Sequence, residues 1–421
     1  MKLTRIGQGL LATAACLGVG LSLTACSPSD TIDYLFVTSN NPKSEVTSYH
    51  VDSIAGTITQ VTGTPVSSQG TNPVAEVASP NQQYLYVANH DSNNIGVFQI
   101  GTDGQLAPWG SPVTTPGSEP IALGINNAGT LLFVVDYYGP GYSDASPGPG
   151  ALIVYPIASN GSLGSPVVNG SNAFTPLQCF PGGVAVTANG NYVYVTNTNT
   201  AINTTAAPSS ATLPATPSTC PSQGTISGFA IGSSGSLTAI PGSPFLAGST
   251  PTGIAADPTN RFVYATDSVQ NQLIVYDILS SGTLNPVNNG PFATGGVFPV
   301  SVVVDPRGLY IYVGNYSDGT ISEFTIIQST GAPSSISNST GSFNTKATGT
   351  TCVVVDPAIA RFVFASDYIG SDIAAAELVP NTGALSANQG QPYQSPGGPT
   401  CVAAVPHGNH AGQYTSALPS N

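Results

Sequence analysis

A repeat narrows the fold more than any other feature of the chain. Runs beginning near Tyr34 (YLFVTS), Tyr84 (YLYVAN), Leu131 (LLFVVD), Tyr192 (YVYVTN), Phe262 (FVYATD), Tyr310 (YIYVGN) and Phe362 (FVFASD) recur about every 50 residues, stretched to about 60 and 70 in the middle. Such a period marks stacked supersecondary units, none of which can bury its own apolar faces alone. Each copy continues with a second short strand, such as Ile95-Gly-Val-Phe-Gln-Ile100, Leu273-Ile-Val-Tyr-Asp-Ile278 or Ile321-Ser-Glu-Phe-Thr-Ile326, whose alternation and β-branched content predict extended structure. An aromatic slot there holds Tyr49, Phe98, Tyr155, Phe229, Tyr276 and Phe324, fails only at Ala376, and reads as packing between neighbouring units. A Gly-x-Leu/Ile turn follows in six copies, at Gly56, Gly104, Gly161, Gly235, Gly282 and Gly383, and then a Pro-Val or Pro-Phe outer strand.

Ahead of each YLYVAN-type run lies a strand of small residues, as in Pro251-Thr-Gly-Ile-Ala-Ala-Asp-Pro258. One position of it reads Ala75, Ala122, Gly183, Gly253, Ser301, Cys352 and Cys401 through the seven copies. A ring of small residues is what crowding at a central axis requires. The chain is therefore expected to be all-β, a seven-bladed β-propeller of four-stranded blades over residues 33–407. Its N-terminal copy starts without an inner strand, while Pro399-Thr-Cys-Val-Ala-Ala-Val405 is left over at the other end. That last inner strand is predicted to complete the first blade, which removes the open edge that would otherwise invite aggregation. Residues 408–421 read as a flexible tail.

Glycine and proline make up about a fifth of the chain and charged residues only 6%, which argues against charge-laced helices. Lys2 and Arg5 precede an apolar stretch from Leu10 to Leu23, too short for a membrane span and suited to an export signal. It ends Leu23-Thr24-Ala25-Cys26, which resembles the lipobox of bacterial lipoproteins. The resemblance implies a signal peptide over 1–25, a lipid on Cys26, a linker over 26–32 and membrane contact through that lipid alone. Ser27 after the cysteine resembles the outer-membrane sorting pattern, so the protein is expected in the cell envelope, on its periplasmic or surface side. The other reading is an ordinary signal peptide with a chance cysteine.

Loss of Lys2 and Arg5 with the signal leaves 5 basic residues against 20 acidic ones, a formal charge of −15. Nucleic acid, which is bound by clustered lysine and arginine, is excluded as a partner. Polyanionic substrates are disfavoured on the same ground. After Cys16 leaves with the signal and Cys26 takes lipid, Cys179, Cys220, Cys352 and Cys401 remain in an oxidising compartment. Three pairings are open. Cys352 and Cys401 hold the same position on adjacent inner strands across the ring closure, and Cys179 and Cys220 belong to one blade and one face, so these two bridges are expected. No Cys-x-x-Cys or Cys/His cluster is present, and no cofactor is expected, with a divalent cation at the axis left open.

Both long insertions, Tyr138 to Gly150 and Thr198 to Gly224, follow the second strand of their blades and therefore project from one face. On that face the end of the second strand reads Ser39, Asn89, Asp136, Asn197, Asp267, Asn315 and Asp367. This carboxylate-and-amide ring has two readings: Asp136, Asp267 and Asp367 could activate water or hold a metal, or the whole ring could cap tight turns through backbone N–H groups. Tyr137, Tyr138, Tyr316 and Tyr368 form an expected aromatic rim suited to sugars, with Asn89 and Asn315 beside it. His90, followed by Asp91, is the histidine of this face and a candidate catalytic base; His50 lies on a blade strand, and His407 and His410 near the C-terminus. No Gly-x-Ser-x-Gly elbow, His-Glu-x-x-His pair or phosphate-cradling loop occurs.

The repeats Pro-x-x-Ile-Ala-x-Asp-Pro-x-x-Arg-Phe-Val-Tyr-Ala and Gln-Leu-Ile-Val-Tyr-Asp-Ile…Gly-Thr-Leu resemble the lactonase-type seven-bladed propellers, the group of bacterial 6-phosphogluconolactonase and fungal carboxymuconate cyclase. The resemblance covers residues 31 to 407 and implies the fold, and with it a lactone-directed activity. Cyclising members of the family use a His, Arg and acid cluster; here Arg261, Arg307 and Arg361 all fall in the turn after an inner strand, on the opposite face. Two functions follow: a non-catalytic envelope module, expected to be a monomer, that binds carbohydrate or protein, and an extracytoplasmic lactone hydrolase. The closure reading has a direct test. A chain ending before residue 399 should unfold or aggregate, seen as loss of the monomer peak in size-exclusion chromatography.

Overall fold

The computed structural model describes residues 30–200, 216–336, 342–379 and 381–413. The signal-peptide and Cys26 readings, and the tail beyond residue 413, lie outside the described residues. Every named element is a β-strand, and the strands form seven antiparallel sheets. Blade 5 is representative, running Pro251–Ala256, Phe262–Asp267, Gln272–Ile278 and Leu284–Pro286 from the axis outward, with Phe292–Ala293 pairing back onto Gln272–Ile278. Blade 1 draws on both ends of the chain: Pro399–Pro406 lies antiparallel on Thr31–Ser39, pairing Tyr34 with Val405 and Thr38 with Cys401. The ring closes as the leftover strand predicts.

Second strands such as Tyr84–Asn89 and Phe262–Asp267 are buried along their whole length. That is why they read as unbroken apolar runs rather than as alternating ones. Each of seven hydrophobic clusters spans one blade boundary. The aromatic slot of the third strand fills these boundaries. Phe98 of blade 2, for example, packs with Tyr34 and Phe36 of blade 1. At the turn after the inner strand, Asp257, Asp305 and Asp356 accept the backbone N–H groups of Arg261, Leu309 and Arg361. This cap accounts for the repeated Asp-Pro of the sequence.

The turn glycines have a second duty. An added Cβ would meet the first aromatic of the preceding blade's second strand: 2.5 Å from Tyr34 at Gly104, 2.4 Å from Tyr84 at Gly161, 2.3 Å from Phe362 at Gly56. The remaining boundaries repeat the arrangement, with Leu131 in place of the aromatic at Gly235. Blade 6 supplies Gly331 beneath Phe262, a glycine the repeat pattern hides because Ala332 and Pro333 follow it instead of leucine. Hydroxyls one turn further in latch the same junction: Tyr86, Tyr194, Tyr264 and Tyr312 donate to the carbonyls of Gly161, Gly282, Gly331 and Gly383 at 2.9, 2.6, 3.0 and 2.8 Å.

Both expected disulfides are formed. Cys179–Cys220 closes a 41-residue separation, and Cys352–Cys401 joins blades 7 and 1 across a separation of 49. The Tyr138 to Gly150 insertion is an ordered excursion held by a Ser143–Ser146 bridge and by the Tyr138 hydroxyl, which donates to Asp144 Oδ1 at 3.0 Å. At the C-terminus, the Gln413 N–H donates to the Ala358 carbonyl of blade 7.

The glycine seats yield a stability prediction. At Gly383, φ is +72° and a Cβ would lie 2.2 Å from Tyr310, so Gly383→Ala should cost about 3 kcal/mol from left-handed backbone strain plus overpacking. In a Tyr310→Leu background, which copies blade 3, the same change should cost about 1 kcal/mol, leaving the backbone share. Denaturant unfolding of the four proteins measures both.

Candidate functional site

The inner strands surround an axial cavity of about 260 Å³. Its wall includes all seven small residues aligned in the sequence, Ala75, Ala122, Gly183, Gly253, Ser301, Cys352 and Cys401. Crowding explains their size, since a Cβ on Gly253 would stand 2.6 Å from the Val300 carbonyl oxygen. The Cys352–Cys401 disulfide is thus part of the wall. One position further along, six blades place Val402, Leu123, Val184, Ile254, Val302 and Val353, while blade 2 places Glu76. Burial pushes the Glu76 carboxyl well above the usual carboxylate range, opposed by the N–H groups of Thr38 and Ala403. Sequence reasoning passed over this residue, although an acid among six aliphatic equivalents was visible in the aligned repeats.

The mouth of the cavity is built on one backbone frame. Between the first residues of each inner strand the ladder shifts register, as between Pro73 and Ala75 or Pro299 and Ser301. Bulges of this kind re-aim side chains at sheet ends and beside functional sites. Just before the bulge, Asn72, Glu119, Phe180 and Phe298 have φ of 55°, 58°, 48° and 58°. Left-handed backbone at four non-glycine residues costs energy and is held only by surrounding structure. In six blades the carbonyl of this rim residue accepts the N–H of the residue following the second-strand cap: Asn40 on Gly398, His90 on Asn72, Thr198 on Phe180, Ser268 on Thr250, Tyr316 on Phe298 and Tyr368 on Gly349. Tyr137 and Thr198, two members of that second ring, line the cavity. The frame repeats, so side-chain identity alone makes each sector different.

Blades 2 and 3 make the ionisable sector. His90 Nδ1 lies 2.6 Å from Asp91 Oδ1, which also accepts the Asn72 amide at 3.1 Å, while His90 Nε2 faces Glu119 Oε2 at 3.6 Å. The hydrogen bond from His90 is the main reason the Asp91 carboxyl sits below the usual range. Burial lifts that of Glu119, with His90 pulling it back. Tyr137 closes the group toward the cavity, its hydroxyl held protonated first by burial and then by the charges of Glu119 and Asp144. Behind it, Tyr138 and Phe180 pack at ring-centroid distances of 4.9 and 5.4 Å, backed by the Cys179–Cys220 disulfide.

The other sequence candidates separate by depth. Asn89, Asp136, Asp267, Asn315 and Asp367 are all fully buried. Asp267 accepts from the N–H groups of Ser249 and Thr250 and from the Thr250 hydroxyl, Asp136 from the Gly117 N–H, and Asp367 from the Thr350 hydroxyl. The Asn89 amide donates to the Ser68 carbonyl, and that of Asn315 to Thr320. These contacts are turn caps, and none of the five residues lines the axial cavity. Among the tyrosines, Tyr137 faces the cavity, Tyr138 is wholly buried, Tyr316 packs beside Phe298 at 6.3 Å, and Tyr368 stands beside Gly398. Glu119, Phe180 and Phe298 were missed; each immediately precedes an inner-strand proline, a position the repeats align but whose left-handed backbone only coordinates reveal. Among the described residues no Lys or Arg lines the cavity, and no group of three or more His, Cys, Asp or Glu side chains is placed to hold a metal. Arg261, Arg307 and Arg361 lie on the opposite face, the first bonded to Gln328 and the others paired with Asp305 and Glu377.

A model of the family "Lactonase, 7-bladed beta-propeller" matches residues 23–120 and 223–355, more than half of the chain. No curated protein sequence matches it. Among solved structures, the periplasmic gluconolactonase of Pseudomonas aeruginosa superposes with a TM-score of 0.69 at 17% identity, covering 89% of this chain and 99% of that one. A candidate 6-phosphogluconolactonase of Bacteroides fragilis gives 0.65 at 17% identity, with 90% and 99% covered. A Lactobacillus plantarum protein gives 0.67 at 15%, with 89% and 100% covered. At such identities the likeness is one of fold.

The buried caps yield a pH prediction. Burial raises the Asp136 carboxyl to about 8, against the pull of the Gly117 N–H and Thr115. A carboxyl raised on folding stabilises fully below its unfolded value near 4 and ceases to do so as pH rises through the folded value. Thermal midpoints should therefore fall between pH 5 and 8.5. Asp136→Asn, the residue other blades use at this position, should flatten that fall when melting is followed by circular dichroism.

Proposed function

Because the chain belongs to the lactonase family of seven-bladed β-propellers, we propose that it is an extracytoplasmic lactone hydrolase working at the mouth of the axial cavity. The observation that supports this best is His90 set between two carboxylates, 2.6 Å from Asp91 and 3.6 Å from Glu119, beside the cavity-lining Tyr137. Asp91 holds the imidazole in the tautomer with the proton on Nδ1, leaving Nε2 as the base. A water hydrogen-bonded to both Nε2 and the Glu119 carboxylate, on the side facing the mouth, loses a proton to Nε2 as it attacks the lactone carbonyl. The Tyr137 hydroxyl donates to the developing oxyanion. The imidazolium then returns the proton to the ring oxygen as the acyl bond breaks, giving the hydroxy acid. Two disulfides suit an oxidising compartment, and a lipid on Cys26 would keep the domain at the membrane. With no cation on the cavity wall, uncharged lactones are preferred to phosphorylated ones.

A second reading, a binding module for carbohydrate or envelope protein, draws on the aromatic residues Tyr137, Phe298, Tyr316 and Tyr368 around the same mouth. Hydrolysis of a lactone panel, corrected for spontaneous opening, separates the two. His90→Ala should lower kcat/KM by about 10²–10⁴, with Glu119→Gln and Tyr137→Phe lowering kcat. Saturable binding with no rate above background on any lactone would replace the hydrolase with the binding module.

A further inference from the structure

The mouth is chemically two-sided. Opposite the acids of blades 2 and 3, the loops of blades 5 to 7 expose Val269, Val297 and Ile369 by 51, 48 and 58%. These residues stand on the mouth frame, two positions beyond the caps Asp267 and Asp367 or two before Pro299. The loops are tied into one ledge. The Ser268 hydroxyl donates to the Pro299 carbonyl at 2.9 Å, the Gly349 N–H to Tyr316 at 3.0 Å and the Tyr368 N–H to Gly349 at 2.8 Å. Phe298 and Tyr316 pack at 6.3 Å within it. The rim residues of blades 7 and 1 are glycines, Gly349 and Gly398, closely approached by Ile369 and Tyr368. The space a Cβ would take at those two points is filled by the Ile369 and Tyr368 side chains, which brings them onto the rim itself.

We infer that the substrates are lactones bearing a saturated hydrocarbon tail, with the ring at His90, Glu119 and Tyr137 and the tail lying across the ledge of Val269, Val297, Phe298 and Ile369. This rests on the hydrolase reading. The ledge side chains named have no polar atom to satisfy the hydroxyls of a sugar, whereas burying methylenes against them is favourable in proportion to the area covered. Continuity with the ionisable sector through the shared mouth ties the occupant to the substrate itself. An uncharged tail also meets no penalty from the acidic surface.

The test uses the mature chain and δ-lactones whose alkyl tails run from none to about ten carbons. A tail covered on one side should raise kcat/KM about twofold per methylene, half the logarithmic gain of full burial. Val269→Ser, Val297→Ser and Ile369→Ser should flatten that slope while leaving the rate on the tail-less lactone unchanged. Calorimetry with δ-lactams of the same tails, which do not hydrolyse, measures binding separately. Turnover with no dependence on tail length overturns the inference and leaves the hydrolase intact. Lactam affinity that climbs with tail length, and is lost in the serine variants, upholds the ligand class even if no lactone is turned over, and then it is the hydrolase that falls. Lactam binding without tail dependence, or none, overturns the inference, as does retention on phospholipid vesicles that the serine variants abolish without any tail effect.

Discussion

The glycine seat between blades is the contact on which the rest depends. A blade exposes apolar surface on both faces and is stable only when each face meets a neighbour in a fixed register. The seat sets that register by steric exclusion: a ring from one blade fills the space where the next blade's glycine lacks a Cβ, and in four boundaries a tyrosine hydroxyl latches onto the same glycine's carbonyl. Blades held this way bring their inner strands to a common axis. There the same logic, small residues where space runs out, opens a cavity rather than a collapsed core.

Repetition then serves function by giving every blade the same mouth. The bulge, the left-handed rim residue and the N–H of the residue after the cap recur, so the backbone presents side chains at the axis without dictating which ones. Function arises where the repeat is broken. Asn72, His90, Asp91 and Glu119 give blades 2 and 3 a charged sector, and Phe298, with Ile369 and Tyr368 packed over Gly349 and Gly398, gives blades 6, 7 and 1 a largely apolar one. The strain of holding Glu119 at φ 58° is met by a backbone hydrogen bond from its own N–H to Asn93 Oδ1 at 2.7 Å. A carboxylate is thereby fixed at the rim within reach of an imidazole.

Charge is placed economically. Of the few basic residues, Arg261, Arg307 and Arg361 sit on the face away from the mouth, each over an aromatic ring and each already bonded. Among the described residues the mouth keeps its acids without a compensating cation on the cavity wall.

By itself the sequence determined the blade count, the strand order within a blade, the closing strand and the ring of small residues, while the choice among three cysteine pairings was settled by the fold. What the sequence determined follows from periodicity, and a period survives in one dimension. It also picked out His90 with Asp91 beside it, and Tyr137 together with Tyr316 and Tyr368, because the position after the cap varies from blade to blade. It could not rank the repeated Asn and Asp against them, since a cap and a catalytic acid are the same residue type. Depth separated the two, with Asp136, Asp267 and Asp367 turned inward and Glu119 at the rim. Which acid approaches which histidine, and that Val269, Val297 and Ile369 share one ledge, were decided only by the tertiary structure. Those residues lie tens of residues apart in different blades, and only closing the ring brings them around a single opening.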